Sequence, residues 1–453
     1  MINPYIFREY DIRGVIEKDF TDSTLSLLGK GFGTYFKQAG VPSVSIGGDV
    51  RNSTPFIREI LIDEITSAGV NVIDIGSVPT PVQYFSMHQL PVEGGIMITG
   101  SHNPPDYNGF KITLRNSPVF GEEIQKIKMI IDSGKFTTGS GSAEQISLLE
   151  DYKNHIKSSI HIKKPLKVTL DSGNGAAGLV AQSLFESLGI DSVDLYPDPD
   201  GNFPNHHPDP TVVENIQDLI KTVKEKGSDF GVGYDGDGDR IGVVDDLGQI
   251  IWGDKLLMIF AQEILKNHPG ASIIFEVKCS QALPEMIEKY GGKPVMWKTG
   301  HSLLKKKMKE LNSPLAGEMS GHLFFADRYF GFDDAIYASV RLAELLSNKN
   351  QKLSELLSNL PKYHATPEIR VEIESDELKF KIAKQAKEYF SKEFEVNDID
   401  GVRILFGDGW GLVRASNTQP VIVLRFEART LERLGEIQKL VIDKLKEFGD
   451  IKI

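Results

Sequence analysis

The sequence predicts an α/β protein, with three related α/β domains carrying mixed sheets and then a smaller α+β domain at the C-terminal end. Three observations predict it. One local plan occurs three times: a β-branched strand, a polar loop, an amphipathic helix, a glycine and a second strand. The C-terminal stretch abandons that plan for closely spaced strands joined by short glycine-bearing turns. The length, 453 residues, is about three times that of an ordinary single domain.

The first copy of the plan runs from Val44-Ser-Ile46 through a helix over 54–68 to Gly69 and a strand over 70–75. The second begins at Lys167-Val-Thr-Leu170, continues as a helix over 177–188, and passes Gly189 into a strand over 190–195. The third takes strand 272–277, helix 281–290, Gly291-Gly292 and strand 294–297. Helices about a dozen residues long between short buried strands imply βαβ crossovers. The last domain reads as a strand at 370–373, a charged helix at 376–390, strands at 401–406, 410–415 and 420–427, and a helix at 431–448. Its short turns imply an antiparallel sheet with helices on one face, entered through the segment 361–367. The expected domains are 1–150, 151–252, 253–366 and 367–453.

Composition narrows the function. Hydrophobic residues make up 40% and charged residues 25%, as in ordinary globular protein. A single cysteine, Cys279, excludes an internal disulfide. No apolar run reaches the roughly 18 to 20 residues that span a bilayer, and Met1-Ile-Asn-Pro-Tyr-Ile-Phe-Arg8 lacks a signal-peptide pattern, so the expected location is the cytoplasm, with no membrane partner. With 51 basic against 63 acidic residues and a net charge of −12, nucleic acid is not an expected partner. Small anions still are, wherever arginines and helix N-termini converge.

Four segments carry chemistry. In Tyr234-Asp-Gly-Asp-Gly-Asp-Arg240, three carboxylates on alternate residues converge only if Gly236 and Gly238 let the backbone turn sharply. Hard oxygen ligands without His or Cys suit Mg²⁺. An EF-hand also reads D-x-D-x-D, but Arg240 stands where that loop needs glycine, and strands flank the turn. In Ile96-Met-Ile-Thr-Gly-Ser-His-Asn-Pro104, an apolar strand opens into a loop. As a phosphoserine, Ser101 would need only a metal and cations to neutralise the transferred group, with Lys111 as proton shuttle or phosphate clamp. Read alone, the segment is equally a Ser/Asn/Pro turn. Gly317-Glu-Met-Ser-Gly-His322 offers a carboxylate, a hydroxyl and an imidazole for sugar hydroxyls, or is a plain glycine turn. Arg414-Ala-Ser-Asn-Thr-Gln-Pro420 follows a strand and makes a compact phosphate cradle.

One segment points elsewhere. Gly173-Asn-Gly-Ala-Ala-Gly178 follows a strand, precedes a helix and has Asp194 about twenty residues on, as in a dinucleotide-binding fingerprint. It supports a rival reading, an oxidoreductase, although the other two copies of the plan lack the glycines. Cys279 has no adjacent base and reads as structural.

In this order, the four segments resemble the phosphoserine, metal, sugar and phosphate loops of the α-D-phosphohexomutase family. The likeness runs from Tyr10-Asp-Ile-Arg-Gly14 to Pro420 and is nearest the bacterial and archaeal phosphomannomutase/phosphoglucomutase branch. The resemblance implies four domains around a central cleft and an isomerase acting on small-molecule hexose phosphates. Ser101 would be the phosphoserine, and Asp235, Asp237 and Asp239 would hold Mg²⁺ together with a phosphoserine oxygen. Glu318 and Ser320 would read sugar hydroxyls, and Arg414, Ser416, Asn417 and Thr418 would grip the phosphate not being transferred. Tyr10, Arg13, His102, Lys111, Arg240, Lys278, His301 and His322 fall at active-site positions, Arg13 and Lys111 among the catalytic ones. The reaction would pass through a hexose 1,6-bisphosphate. Glu318-Met-Ser320 looks like the branch accepting mannose and glucose, with glucosamine phosphate as the alternative substrate. A non-catalytic sugar-phosphate binder would keep the cradle without the phosphoserine.

Overall fold

The computed structural model describes residues 2–416 and 420–449. The chain forms two compact units, Met1–Gly253 with Ser320–Ser358, and Asp254–Met319 with Asn359–Ile453.

The first unit holds two mixed sheets. In one, Ser43–Gly48 lies parallel to both Asn71–Ser77 and Gly94–Ile98, as the βαβ reading expects. Gly94–Ile98 then pairs antiparallel with Tyr107–Leu114, which pairs antiparallel with Ile12–Val15. The register sets Met97 against Lys111 and Gly109 against Arg13, so Arg13 and Lys111 share a face. In the other sheet, Phe230–Tyr234 is parallel to Lys167–Asp171 and antiparallel to Ile241–Asp245. The last pair is a hairpin whose connection, 235–240, is the acidic turn.

Helix Asp22–Gln38, capped by Thr21, is built for close approach. A Cβ on Gly29 would lie 2.7 Å from Glu64 Cβ, one on Gly33 would lie 2.6 Å from Ala68 Cβ, and one on Gly31 would lie 2.5 Å from Ile131 Cγ1. Three glycines thus let helix Thr54–Ser67 on one side and Glu122–Ser133 on the other seat against its backbone. Buried Leu25, Leu28, Phe32, Leu61, Ile65 and Ile127 fill the layer between helices and sheet.

The helix expected over 177–188 is interrupted. A 3₁₀ turn, Ala176–Leu179, precedes a short α-helix, Ala181–Ser187. Gly178 abuts the Pro197 carbonyl, 2.0 Å from where its Cβ would stand, an approach that the absent side chain permits.

In the second unit, Ser272–Glu276 runs parallel to Lys293–Trp297 and Leu315–Gly317. The final sheet is antiparallel, ordered His364–Ala365, Val421–Ala428, Gly409–Ala415, Val402–Leu405 and Glu395–Asn397, with Ile369–Glu372 also on Val421–Ala428. Helices Asp376–Phe390 and Leu431–Phe448 pack on it and share its core of Ile382, Phe390, Ile437 and Val441. The segment expected as a connector, 361–367, contributes His364 and Ala365 to this sheet, paired with Ala428 and Glu427. Among the described residues, no helix is long and apolar enough to cross a membrane.

Two helical glycines should respond oppositely to a side chain. Gly435, exposed in the last helix with nothing within 4 Å of its Cβ position, becomes a better helix former as alanine. Gly435→Ala should stabilise by about 0.5–1 kcal/mol, and Gly33→Val should destabilise by about 1–3 kcal/mol through overpacking. Denaturant unfolding of both variants checks the pair.

Candidate active site

The strand Gly94–Ile98 delivers the chain into 99–104, where Ser101 adopts a left-handed backbone, φ +50°. For a residue with a Cβ this costs about 1–2 kcal/mol. Its N–H donates to Thr99 Oγ1 at 2.8 Å, and its carbonyl accepts from Arg51 Nη2 at 2.7 Å. Its Oγ, almost fully buried, lies 3.1 Å from both Asp235 Oδ2 and His102 Nδ1. Burial first, and then the charges of Arg240 and Arg13, push the His102 imidazole well below its ordinary pKa and keep it neutral.

The acidic turn is folded around Asp235. Its Oδ1 accepts from the backbone N–H groups of Asp239 at 3.0 Å and Arg240 at 3.1 Å. The two glycines have different tasks. Gly238 has φ +75° and makes the turn, whereas Gly236 supplies room, since a Cβ there would lie 2.5 Å from the Ser101 carbonyl oxygen. Asp237 Oδ2 accepts from Thr80 Oγ1 at 2.6 Å and from Lys111 Nζ at 2.6 Å, and Lys111 also reaches Asp239 Oδ2 at 2.5 Å. Burial alone would lower the Lys111 ammonium, but Asp237 and Asp239 outweigh it and raise it. Asp235 is pushed well up, by burial and then by its two neighbours.

These carboxylates fit a metal ion. One ligand oxygen from each of Asp235, Asp237 and Asp239 lies within 4.8 Å of the others, and all three residues are fully buried. Asp237 Oδ1 and Asp239 Oδ1 are buried without a hydrogen-bond partner, a costly arrangement that a hard cation would relieve. The second half of the sugar-loop segment reaches the same place: His322 Nε2 accepts from Arg240 Nε at 2.9 Å, and its Nδ1 stands 3.0 Å from Asp333 and 3.6 Å from Asp239. Ser320 is half-buried in this unit, and Tyr10 is half-buried just before the strand bearing Arg13, whose Nε donates to Asp11 at 2.6 Å.

Three polar residues here lie outside the segments singled out in the sequence. Asp49, Arg51 and Thr80 are all buried, and each binds the serine loop or the acidic turn. For Asp49 and Arg51 the signal is Gly48-Asp-Val-Arg-Asn-Ser-Thr54, polar residues at the carboxyl end of a predicted strand.

Five N–H groups of the fingerprint-like loop are committed within the protein: Gly173 to Asp171 Oδ1, Asn174 to Tyr196 O, Gly175 to Ser172 O, Ala176 to Gly236 O and Gly178 to Gly175 O. Its glycines serve close packing on Pro197, Pro208 and the acidic turn itself.

The second unit gathers the other expected residues. Lys278 Nζ pairs with Glu368 at 3.0 Å, and that pairing draws Glu368 down to about 2. Burial would lower the Lys278 ammonium, but Glu276, Glu368 and Glu318 outweigh both burial and the repulsion of Arg414 and raise it. Glu318 Oε1 accepts the Gly300 N–H at 2.7 Å, next to buried His301 at the start of helix His301–Leu311. Arg414 Nε donates to Asp400 at 2.7 Å, and Asp400 also holds the Thr299 N–H at 3.0 Å. Ser416 donates its N–H to Val421 O at 3.0 Å; Asn417 and Thr418 lie outside the described residues.

Four family models match in succession, described as domains I, II and III and the C-terminal domain of phosphoglucomutase/phosphomannomutase, over residues 4–138, 149–248, 252–363 and 368–444. A phosphomannomutase/phosphoglucomutase of Pseudomonas aeruginosa is 47% identical over 97% of this chain and 95% of its own. A phosphoglucomutase of Neisseria meningitidis is 42% identical over 97% and 96%. The crystal structure of a phosphoglucomutase/phosphomannomutase family protein from Burkholderia thailandensis superposes with a TM-score of 0.94 over all of both chains, at 44% identity.

If the acidic turn holds a divalent ion, magnesium chloride at about 100 times its dissociation constant should stabilise the protein by about 2.7 kcal/mol. Asp237→Asn should lose that stabilisation while unfolding normally without the ion. Thermal melts with and without magnesium, after chelation, test both.

Proposed function

The chain belongs to the phosphoglucomutase/phosphomannomutase family of α-D-phosphohexomutases, and on that premise we propose that it interconverts mannose 1- and 6-phosphate, and the glucose pair, by way of a phosphoryl group carried on Ser101. As an isomerase acting on hexose phosphates, it moves phosphate between the 1- and 6-positions. The observation that supports Ser101 as the carrier is its Oγ, 3.1 Å from Asp235 at the edge of the acidic turn.

In this reading phosphoserine 101 meets the free hydroxyl of a hexose monophosphate. The Ser101 Oγ–phosphorus bond breaks, a bond from phosphorus to the sugar oxygen forms, and the hydroxyl proton finishes on the regenerated Ser101 oxygen. Lys111, which faces the turn, serves as relay or as phosphate clamp, and Arg13 on the same sheet face adds positive charge. The hexose 1,6-bisphosphate then turns end over end and returns its other phosphate to Ser101. Mg²⁺ is the ion we assign to Asp235, Asp237 and Asp239, and when bound it neutralises charge on the transferred group. Tyr10, His102, Arg240, Ser320 and His322 would line the substrate's path in one unit. Lys278, His301, Glu318, Arg414 and Ser416, with Asn417 and Thr418, would serve sugar hydroxyls and the phosphate not being transferred. Because the intermediate reverses, the cradle must accept either phosphate, which suits cations and few sugar contacts.

Ser101→Ala should lose nearly all turnover and stay folded. Incubation of the native chain with glucose 1,6-bisphosphate should place one phosphoryl group on the peptide containing Ser101, and a phosphopeptide mapping elsewhere would end this reading. Arg414→Ala should lower kcat/KM by about tenfold to a hundredfold, the worth of a charge-assisted contact. The loss should be alike in both directions and for both sugar pairs, as steady-state kinetics on the four hexose monophosphates will measure.

A further inference from the structure

Arg51 is set in a cage. Its side chain has no solvent exposure, and all five guanidinium N–H groups are used. Nε donates to Asp49 Oδ2 at 3.1 Å; Nη1 donates to the carbonyls of Pro104 and Tyr107, the latter at 3.0 Å; and Nη2 donates to the carbonyls of Asn103 at 2.6 Å and Ser101 at 2.7 Å. The Phe203 ring lies 5.3 Å away, and a Cβ on Gly100 would stand 2.4 Å from Cζ. One side chain from the end of strand Ser43–Gly48 therefore organises the whole loop from Ser101 to Tyr107.

The same network fixes both peptide groups of Ser101. Arg51 holds the carbonyl, and Thr99 Oγ1 takes the N–H while itself donating to Asp49 at 2.8 Å. These are the groups that define the left-handed backbone at Ser101, and with it the direction of Oγ. A backbone conformation a serine disfavours persists only when its surroundings over-determine it. We propose that Arg51 is a positioning residue for phosphoryl transfer, holding Ser101 in its left-handed conformation so that Oγ is presented to the acidic turn. The proposal rests on Ser101 being the phosphoryl carrier.

Its role is geometric. Four carbonyl dipoles and Asp49 surround the guanidinium and offset its field, so the planar fork matters more than the charge. A lysine would keep the charge, but its three N–H groups cannot reach five acceptors in a plane.

The test compares Arg51→Lys, Arg51→Ala and Gly100→Ala with the native chain. Since displacing a reacting atom by 1 Å costs about a hundredfold, both Arg51 variants should lose about a hundredfold in kcat with KM nearly unchanged. The rate at which glucose 1,6-bisphosphate phosphorylates Ser101 in a single turnover should fall by the same factor. Guanidinium chloride at non-denaturing concentration should restore Arg51→Ala, and methylammonium should not. If Arg51→Ala fails to fold, Gly100→Ala carries the test, because it keeps Arg51 but drives the guanidinium from its cage, and it should show the same kcat loss. Near-native kcat in Arg51→Lys, a loss confined to KM, or a folded Arg51→Ala that guanidinium leaves inert would each overturn the proposal. Native protein that gains no phosphate on Ser101 would instead remove the carrier reading beneath it.

Discussion

Three carboxylates inside one buried turn constrain everything built around them. With ligand oxygens within 4.8 Å of one another, each pair repels on the order of 3 kcal/mol at an effective dielectric of about 20. The fold answers with several compensations at once. Asp235 turns one oxygen onto two backbone N–H groups, Lys111 bridges Asp237 and Asp239, and Thr80 adds a hydroxyl to Asp237. That demand explains why both sheets of the first unit end here. The hairpin supplies the acids, the antiparallel strand Tyr107–Leu114 supplies the lysine, and the loop after Gly94–Ile98 brings the serine.

The second unit follows the opposite charge logic. There two buried cations each have a resident acid: Glu368 for Lys278 and Asp400 for Arg414. Buried cations need such partners to stay ordered in the absence of an anion.

Most of this was legible in the sequence, for physical reasons that differ by element. Helices 376–390 and 431–448 are legible because charged, amphipathic stretches begin just after Ser375 and Thr430, which cap them. The helix predicted after Gly175 starts later, beyond a 3₁₀ turn at Ala176–Leu179 where Gly178 backs onto the Pro197 carbonyl, a contact that no local pattern encodes. The strand at 364–365 was invisible for the same reason: two residues carry no periodicity, and only their partner, Val421–Ala428, defines them. In the site, the charged motifs announced themselves, and the acidic turn, Ser101, Lys111 and His322 do meet. Asp49 and Arg51 did not, since an Asp and an Arg after a strand look like an ordinary solvated loop until the cage of carbonyls is seen. The G-x-G-x-x-G match illustrates the converse, glycines required for packing that imitate glycines required for a ligand.

Cys279 reads from the sequence as structural, and its surroundings also decide its reactivity. It is fully buried, burial and the nearby Glu276 and Asp254 hold its thiol well above its ordinary pKa, and its carbonyl is gripped by Arg403 at 2.8 Å. A buried thiol so held offers little thiolate to maleimides and similar reagents while the chain is folded. Fluorophores or spin labels can be attached at two new surface cysteines, one on each compact unit, without first deleting the native one.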